Sequence, residues 1–568
     1  MRIRQILTGV IVGAFFLCTL WLVVGMPAVF NSPDENANYY FTQAISEGAQ
    51  PIEELNVDLG GLLHPRSVVA IGEYYASRSF LGLPVVFGVI GKALDLIEGL
   101  GVVLLLTPIL AVLAILAWRS TISAIFKDRL IADLSALFLM LHPAFWYYTA
   151  RTMMHNVGFV SLLIVSAWFF VKRPCLTFKV KRRTLNLGGL IVVDFVLGGV
   201  FLGLALAFRT SEVIWIGVSV VAFAVFALRQ KWAKISQVII AFAAVALVLI
   251  PFAAINNQIY GGYFTTGYTV EVPVSGAVAA YEGEAIVDQA DPGPSTRILF
   301  FDEPMPGPLV YLFPFGVHEL AIVRHAWQYG FLLYPWMSAL ALVGVALGLM
   351  GPVGPMTKRW RGWIIYTLAL SAWLAVVYGS WKFHDNPDPN MITIANSYVR
   401  YWLPLFILST PLMALALKWI ADRFSSRKLK NVIVIVIVIV CATLSCFRVF
   451  SGPDGLVATR DHLWQFYEKQ TIVVDATEDE AIIIVDRADK FLWPHRRVIT
   501  PLRSVSTYAA MPVMLEYAPL YYFGITLPED DLSYLETDVL GPMELEIEPV
   551  LTVGDESLYR IAEVDSRQ

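Results

Sequence analysis

Two adjacent carboxylates, Asp34 and Glu35, directly follow the first long hydrophobic segment of the chain, residues 6–30. A carboxylate can take a proton from a reacting hydroxyl or amine, so the pair is a candidate for general-base chemistry. The same residues also fit a simpler description, because Ser32 can cap a helix, Pro33 suits its first turn, and acids stabilise that end. The sequence therefore predicts a helix that begins near residue 33 and leaves a catalytic use of its acids open.

The composition places these acids in a membrane protein. The chain has 568 residues, of which 57% are hydrophobic and only 15% are charged, whereas soluble domains contain about 25% charged residues. Its net charge of −5 gives no basic field that would attract nucleic acid. These values exclude an ordinary soluble enzyme, a disordered protein and a nucleic-acid binder, and they indicate a polytopic α-helical protein of the lipid bilayer.

Windows of about 20 mostly apolar residues predict about 11 transmembrane helices. The predicted spans are residues 6–30, 98–118, 130–148, 155–171, 188–208, 212–228, 235–255, 327–350, 361–381, 398–418 and 431–450. Short cytoplasmic loops collect Lys and Arg, and a cytoplasmic N-terminus puts 22 basic residues inside against nine in the outer segments before residue 448. This orientation requires that the apolar stretch 80–96 does not cross, so a re-entrant or interfacial helix is predicted there.

The last part of the chain differs in composition from the rest. Apolar runs at 481–486, 497–500 and 520–525 predict buried strands, and they indicate a small extracytoplasmic α/β domain over residues 451–568. This segment contains no Gly-rich phosphate loop, nucleophile elbow or cluster of metal ligands. Catalysis is therefore expected in residues 1–450.

Two long outer loops, 31–97 and 257–326, carry the polar residues of that membrane domain. Connections longer than about 12–15 residues are usually functional or disordered. The second loop is rich in Pro, Gly and acids, among them Asp288, Asp291, Asp302 and Glu303. A partly mobile lid is predicted there.

Short polar motifs follow one another along the outer side of the predicted membrane domain. After the acidic pair they are His64-Pro65-Arg66, Tyr147-Tyr148-Thr149-Ala150-Arg151 with Asn156, Phe208-Arg209 with Glu212, the Asn- and Gly-rich loop from Asn256 to Tyr268, and Tyr398-Val399-Arg400-Tyr401-Trp402-Leu403-Pro404. This ordered series resembles the GT-C superfamily of integral-membrane glycosyltransferases, which includes protein O-mannosyltransferases and aminoarabinose transferases of lipid A. The resemblance covers most of the chain.

The resemblance implies a donor in which a sugar is linked to polyprenyl phosphate, and an extracytoplasmic lipid, glycan or protein acceptor. It implies an inverting transfer with Asp34 as the base and Glu35 as its neighbouring partner. The planar donors of arginine bind phosphate in a bidentate manner, so Arg66, Arg209 and Arg400 are expected to hold the donor phosphate. The residues expected to contact substrate are His64, Arg151, Asn156, Tyr268 and Tyr401.

One position departs from the family pattern. Two other functions also remain open. Many members carry a second acid where this chain has His155 and Asn156, so the sequence leaves open whether a divalent metal takes part, and it predicts no other cofactor. The alternative is a transporter or lipid flippase without glycosyl transfer, which would favour inverted repeats and paired charges at mid-membrane. A third reading, a non-catalytic scaffold for the C-terminal domain, leaves the outer polar series unexplained.

Overall fold

We describe the fold from a computed structural model of the chain. It describes residues 2–48, 52–54, 63–71, 74–94, 100–171, 179–180, 183–184, 188–270, 312–313, 316–351, 355–383, 385, 391–502 and 504–564. The chain divides into two compact units, and each unit takes three separate stretches of the sequence. We call residues 1–24, 104–251 and 295–459 the helical unit, and residues 25–103, 252–294 and 460–568 the sheet unit.

Apolar helices make up most of the described chain. Six are long and apolar enough to cross a membrane: Val102–Phe126, Thr210–Arg229, Ile235–Tyr260, Thr357–Gly379, Leu403–Asp422 and Arg427–Phe450. Two bent pairs fit one span each: Arg129–Leu141 with Pro143–Ala150 at 54°, and Glu319–Leu332 with Pro335–Met350 at 99°. Shorter apolar helices are Gly9–Thr19, Gly82–Ala93, His155–Val171 and Val192–Phe208.

These helices agree with a multi-pass membrane protein, but they do not confirm the predicted number of spans. Each predicted span falls on one of them, yet length and composition within the described residues support six to eight crossings. The first helix, Arg2–Thr19, ends well before the apolar segment 6–30 does. The Gly82–Ala93 helix has 12 residues, fewer than the about 20 that a crossing requires, which agrees with a segment that does not cross.

The described residues of the sheet unit form two sheets. Three antiparallel strands lie in the order Ile52–Glu54, Tyr74–Ser77, Val68–Ile71. A five-stranded mixed sheet has the order Arg497–Ile499, Ile482–Val485, Leu520–Ile525, Glu556–Glu563, Leu545–Val553. Its first three strands are parallel and its last three antiparallel. Its helices include Gly82–Ala93, Pro33–Glu47, Asp489–Leu492, Val505–Tyr517 and Glu529–Tyr534, and the helix Leu456–Asp475 belongs to it from residue 460 onward.

The strand sequences explain their places in the mixed sheet. All four residues of Ile482–Val485 are buried, as expected for a central parallel strand that is covered on both faces. Leu545–Val553 mixes buried and exposed positions, which is typical of an antiparallel strand at an edge. The three strands predicted near 482, 497 and 520 are confirmed.

One hydrophobic core joins two distant segments of the sheet unit. Val29, Ala37 and Phe41 belong to the same buried cluster as Ile483 and Tyr522 of the mixed sheet. The predicted division into 1–450 and 451–568 stays a prediction, because the compact units of the structure are interleaved along the chain. Within the sheet unit, the first outer loop and the C-terminal segment are packed on each other.

Candidate functional site

The helix Pro33–Glu47 presents the acidic pair in its first turn. Ser32 has an extended backbone, with φ −130° and ψ 140°, and its side chain accepts a hydrogen bond from the Asp34 backbone N–H at 3.3 Å. Asp34 is half-buried, whereas Glu35 is only 2% exposed. The predicted helix start near residue 33 is confirmed, and the two adjacent carboxylates differ in their exposure to solvent.

A serine that the sequence analysis did not select fixes the Asp34 carboxylate. The Ser67 hydroxyl donates a hydrogen bond to Asp34 Oδ1 at 2.5 Å. The Ser67 backbone has a φ of 65°, a left-handed conformation that is uncommon outside glycine. Its only sequence signal is its place directly after the His64-Pro65-Arg66 motif.

Arg66 is held by a buried carboxylate of the C-terminal segment. Its Nη2 donates to Asp489 Oδ1 at 2.6 Å, its Nε to Oδ2 at 3.0 Å, and its backbone N–H to Oδ2 at 2.9 Å. The Asp489 side chain is 0% exposed and the Arg66 side chain 44%. This is a bidentate charge-assisted pair, so part of the Arg66 guanidinium is used in a contact that stabilises the fold. The expected phosphate role of Arg66 stays a prediction, as does that of His64, whose Nδ1 lies 3.0 Å from the Pro65 carbonyl oxygen.

A second segment of the sheet unit positions Tyr268. The Tyr260 hydroxyl donates to the Ser77 carbonyl at 2.5 Å. A Cβ added at Gly267 would lie 2.0 Å from the Ser77 carbonyl oxygen and 2.6 Å from the Arg78 Cα. Tyr268 is exposed and meets the edge of Phe80 with ring centroids 5.0 Å apart. The sheet unit therefore displays Tyr268 on a segment whose backbone touches the first outer loop.

We expect Gly267→Ala to lower the free energy of unfolding by about 1–3 kcal/mol, since overpacking against backbone cannot be relieved by a rotamer change. The measurement is thermal unfolding of the purified protein in detergent. Gly217→Ala is the matched control, because a Cβ at Gly217 meets nothing within 4 Å. Equal melting temperatures for the two variants would contradict the close approach of these segments.

The helical unit contains a buried ion pair around Arg209. Arg209 Nη2 lies 2.9 Å from Glu212 Oε1, and both side chains are almost fully buried. The Tyr378 hydroxyl donates to Glu212 Oε1 at 2.5 Å, and the Trp215 indole N–H donates to Glu212 Oε2 at 2.5 Å. Arg209 Nη2 also donates to the Tyr378 hydroxyl at 3.3 Å. The Arg209 charge is thus matched inside the unit by a satisfied carboxylate.

The Tyr401 ring connects this pair with Arg400. The guanidinium carbon of Arg209 lies 4.5 Å from the ring centroid of Tyr401, and that of Arg400 lies 5.3 Å from it. Tyr401 also stacks on Tyr378 and Phe383, with centroids 4.5 Å and 5.2 Å apart. Stacked rings with cations near their faces gain quadrupole attraction, so this arrangement gathers positive charge next to aromatic surface.

Arg400 is half-buried and oriented by polar neighbours. Its Nη2 donates to the Ser397 hydroxyl at 2.9 Å, and its Nη1 lies 3.1 Å from the Met154 sulfur. Asp385 accepts hydrogen bonds from the backbone N–H and the hydroxyl of Ser397 at 2.7 Å and 3.1 Å. The Asn156 amide donates to the Arg400 carbonyl at 3.4 Å.

Four of the predicted site residues therefore come together in the helical unit: Arg209, Arg400, Asn156 and Tyr401. The sequence analysis missed Tyr378, Ser397 and Asp385, although Ser397 lies one residue before the Tyr398 motif. Arg151 is buried in the same unit, with its Nη1 3.4 Å from the Tyr147 hydroxyl. Its expected contact with substrate stays a prediction.

We expect Arg209→Met to lower the free energy of unfolding by about 3–5 kcal/mol, because it leaves the buried Glu212 carboxylate without its cation. Thermal unfolding in detergent measures the loss. Arg119→Met is the control, since the Arg119–Asp133 pair has an arginine side chain that is 38% exposed, and exposed pairs contribute about 0–1 kcal/mol. A loss at Arg209 no larger than that at Arg119 would show that the Glu212 network is not stabilised by this charge.

A divalent metal would need several acidic, His or Cys ligands close together. Among the residues that the structure describes, no group of three or more His, Cys, Asp and Glu could hold a metal ion. The acids of the second outer loop, Asp288, Asp291, Asp302 and Glu303, and most of the predicted lid at 257–326 lie outside the described residues.

The chain is similar in structure to solved membrane glycosyltransferases, although no protein-family model and no curated protein matches it. ArnT from Cupriavidus metallidurans in the apo state superposes with a TM-score of 0.55 and 11% identity, over 98% of this chain and 98% of that chain. The oligosaccharyltransferase AglB from Archaeoglobus fulgidus, in complex with an inhibitory peptide and a dolichol-phosphate, gives 0.51 and 14%, over 92% and 70%. An oligosaccharyltransferase from Archaeoglobus fulgidus tethered with an acceptor peptide gives a TM-score of 0.51 and 15% identity, over 90% of this chain and 68% of that chain. Over nearly its whole length the chain thus has the GT-C fold of these integral-membrane enzymes, the fold that its outer motifs predicted.

Proposed function

We propose that the chain is a membrane glycosyltransferase that moves a sugar from a polyprenyl-phosphate donor to an extracytoplasmic acceptor. The observation that carries the proposal is the similarity to ArnT, which extends over 98% of both chains. The donor class is supported by AglB, which has the same fold and whose structure holds a dolichol-phosphate, a lipid of that class. The proposed reaction is a single displacement with inversion at the sugar carbon.

In this reaction Asp34 is the general base. The acceptor hydroxyl or amine gives its proton to Asp34, and its oxygen or nitrogen bonds to the anomeric carbon. The bond from that carbon to the phosphate oxygen breaks, and the phosphate keeps the electron pair. The half-buried position of Asp34 and its hydrogen bond from Ser67 support this role, because a base must be both reachable and oriented. Glu35, which is buried beside it, is a neighbouring partner.

Arginines stabilise the charge that develops on the leaving phosphate. Arg400 is the candidate proposed to bind it directly, with its guanidinium oriented by the Ser397 hydroxyl and lying beside the Met154 sulfur and the Tyr401 ring. Arg209 is paired with Glu212 and Arg66 with Asp489, so part of their positive charge is already balanced within the fold. Cationic donors aimed at a developing negative charge lower the barrier.

The remaining roles concern substrate contact and orientation. Tyr268 is an exposed aromatic ring, and such rings with nearby polar groups suit a sugar. His64, Arg151, Asn156 and Tyr401 are further proposed contacts. The N-terminus is cytoplasmic and the C-terminal domain extracytoplasmic, as the excess of basic residues in the predicted inner loops supports. The acceptor is a hydroxyl or amine of a lipid, a glycan or a protein.

The proposal is tested by incubating the purified full chain with a panel of polyprenyl-phosphate sugars and with lipid, glycan and peptide acceptors. Release of polyprenyl phosphate is followed with and without a chelator, which also tests for a divalent metal. We expect release with at least one donor. Movement of the intact lipid-linked sugar across a vesicle membrane, without release, would contradict glycosyl transfer and support the flippase alternative.

A further inference from the structure

The C-terminal segment of the sheet unit holds both elements that meet at Asp34. The Asn36 side chain, in the first turn of the acidic helix, donates to the Trp493 carbonyl at 3.0 Å. The Trp493 ring is buried and lies 6.2 Å, centroid to centroid, from the rings of Phe41 and Tyr75. Asp489 binds Arg66 at the start of the loop that carries Ser67. The short segment 487–493 thus restrains the helix and the loop together.

The place of Asp489 in the mixed sheet explains why it can bind another element. Asp489 follows the strand Ile482–Val485, which has parallel neighbours on both sides, Arg497–Ile499 and Leu520–Ile525. In open α/β sheets the crevice at the carboxyl end of such a strand usually receives a ligand. Here Arg66 occupies that position, since its Nη2 also reaches the Arg487 carbonyl at 3.5 Å. The crevice is filled by the chain itself.

We propose that Asp489 and Ser67 are positioning residues for Asp34, with Asp489 acting through Arg66 and Ser67 donating directly. The catalytic consequence rests on the proposed function, but the positioning itself does not. Ser67 has a φ of 65°, and such a conformation persists only where its surroundings impose it. The bidentate Asp489–Arg66 pair supplies that restraint on the adjacent residue.

Two consequences follow for the Asp34 carboxylate. A hydroxyl that donates to a carboxylate favours its charged form, so the Ser67 hydrogen bond favours the form of Asp34 that can accept a proton. The hydrogen bond to Oδ1 also restrains the orientation of the carboxylate. Other titratable groups on the elements around this turn include Glu35 on the same helix, His64 and Arg66 on the loop, and Arg487, Asp489, Lys490 and His495 on the C-terminal segment.

The experiment measures the protonation of Asp34 without any substrate. A hydrophobic carbodiimide labels protonated carboxyl groups, and mass spectrometry of the Asp34 peptide gives the labelled fraction against pH in the full chain. Ser67→Ala is expected to move the midpoint of this curve to higher pH by about one unit, roughly tenfold in proton affinity. Asp489→Asn is expected to move it in the same direction.

Double variants separate positioning from a general loss of structure. Asp489→Asn added to Ser67→Ala is expected to move the midpoint no further. Asp489 acts on Asp34 through Arg66 and Ser67, so the effects of the two substitutions should not add. Glu556→Gln is the matched control, since it breaks an ion pair with Lys469 in the same unit, and it should leave the midpoint unchanged. An unchanged midpoint in Ser67→Ala, or additive shifts in the double variant, would overturn the proposal.

The same variants distinguish this inference from the proposed function. If the chain transfers sugar, Ser67→Ala should lower kcat more than it changes KM, and the acid limb of the kcat/KM profile should move with the labelling midpoint. If the wild-type chain transfers no donor, the proposed function fails, while the labelling curves still decide whether Ser67 and Asp489 position Asp34.

Discussion

Asp34→Asn is expected to lower the rate of sugar transfer by a factor of roughly 10²–10⁴, the usual contribution of a positioned general base. Asparagine has nearly the same shape as aspartate and keeps an oxygen that can accept the Ser67 hydrogen bond, which is 2.5 Å long in the structure. The asparagine amide is not basic, so it cannot take the proton from the acceptor hydroxyl or amine. The measurement is a single-turnover rate with a saturating polyprenyl-phosphate sugar, because that rate reports on chemistry rather than on release.

The control for this change is a carboxylate in the same helix. Glu47 lies in the last turn of Pro33–Glu47 and accepts a hydrogen bond from Gln43 at 3.0 Å. Glu47→Gln removes one negative charge from the helix, as Asp34→Asn does, and should leave the rate unchanged. The fold of both variants is checked by melting temperature in detergent. A fully folded Asp34→Asn protein that keeps more than a third of the wild-type rate would exclude Asp34 as the base, and Glu35→Gln would then be measured.

Local signals made several elements of this fold predictable. Ser32 and Pro33 mark the start of a helix through capping and a fixed φ, and the helix begins at Pro33. The run Ile482–Val485 is so apolar that only a covered central strand fits it, and that is where it lies. Both predictions depend only on residues that are within a few positions of each other, so they can be made from the sequence alone.

The number of membrane spans was harder to predict, because hydropathy does not register a bend. The apolar window 130–148 runs through the break at His142, and Pro143 begins the second helix of that pair. A residue before proline is pushed out of the helical region, and His142 has φ −68° and ψ 118°. Pro335 follows Tyr334 at the second break in the same way. The prolines are present in the sequence, but an average of hydropathy over a window does not take their effect on helix geometry into account.

The polar contacts of the candidate site could not be predicted, because they join residues that are far apart in the chain. Ser67 meets Asp34 across 33 positions, and Asp489 meets Arg66 across 423. Arginine suits phosphate and carboxylate equally well, so the residue type of Arg66 does not reveal which of the two it binds in the folded chain. Only the tertiary fold, with one core shared by the first outer loop and the C-terminal segment, decides between them.

Arg400→Gln is the second change with a large expected effect, a loss of roughly 10²–10³ in kcat, as for removal of one donor that stabilises a developing negative charge. The leaving phosphate gains charge as the sugar departs, and Arg400 is held ready for it by Ser397, which Asp385 in turn fixes. Because this stabilisation grows in the transition state, kcat should fall more than KM rises. Steady-state rates over a range of donor concentrations give both constants.

Arg400→Lys and a matched arginine complete this test. Lysine keeps the charge but loses the planar, bidentate donor set, so Arg400→Lys should recover part of the rate that Arg400→Gln loses. Arg423 is the control, because it is exposed and lies over the Trp419 ring at 4.1 Å, a cation–aromatic contact like that of Arg400 but on the predicted cytoplasmic side. Arg423→Gln should keep full activity. If Arg400→Gln and Arg423→Gln transfer sugar equally fast, the phosphate must be bound elsewhere, and the Tyr401 cluster would then be a stabilising contact of the helical unit alone.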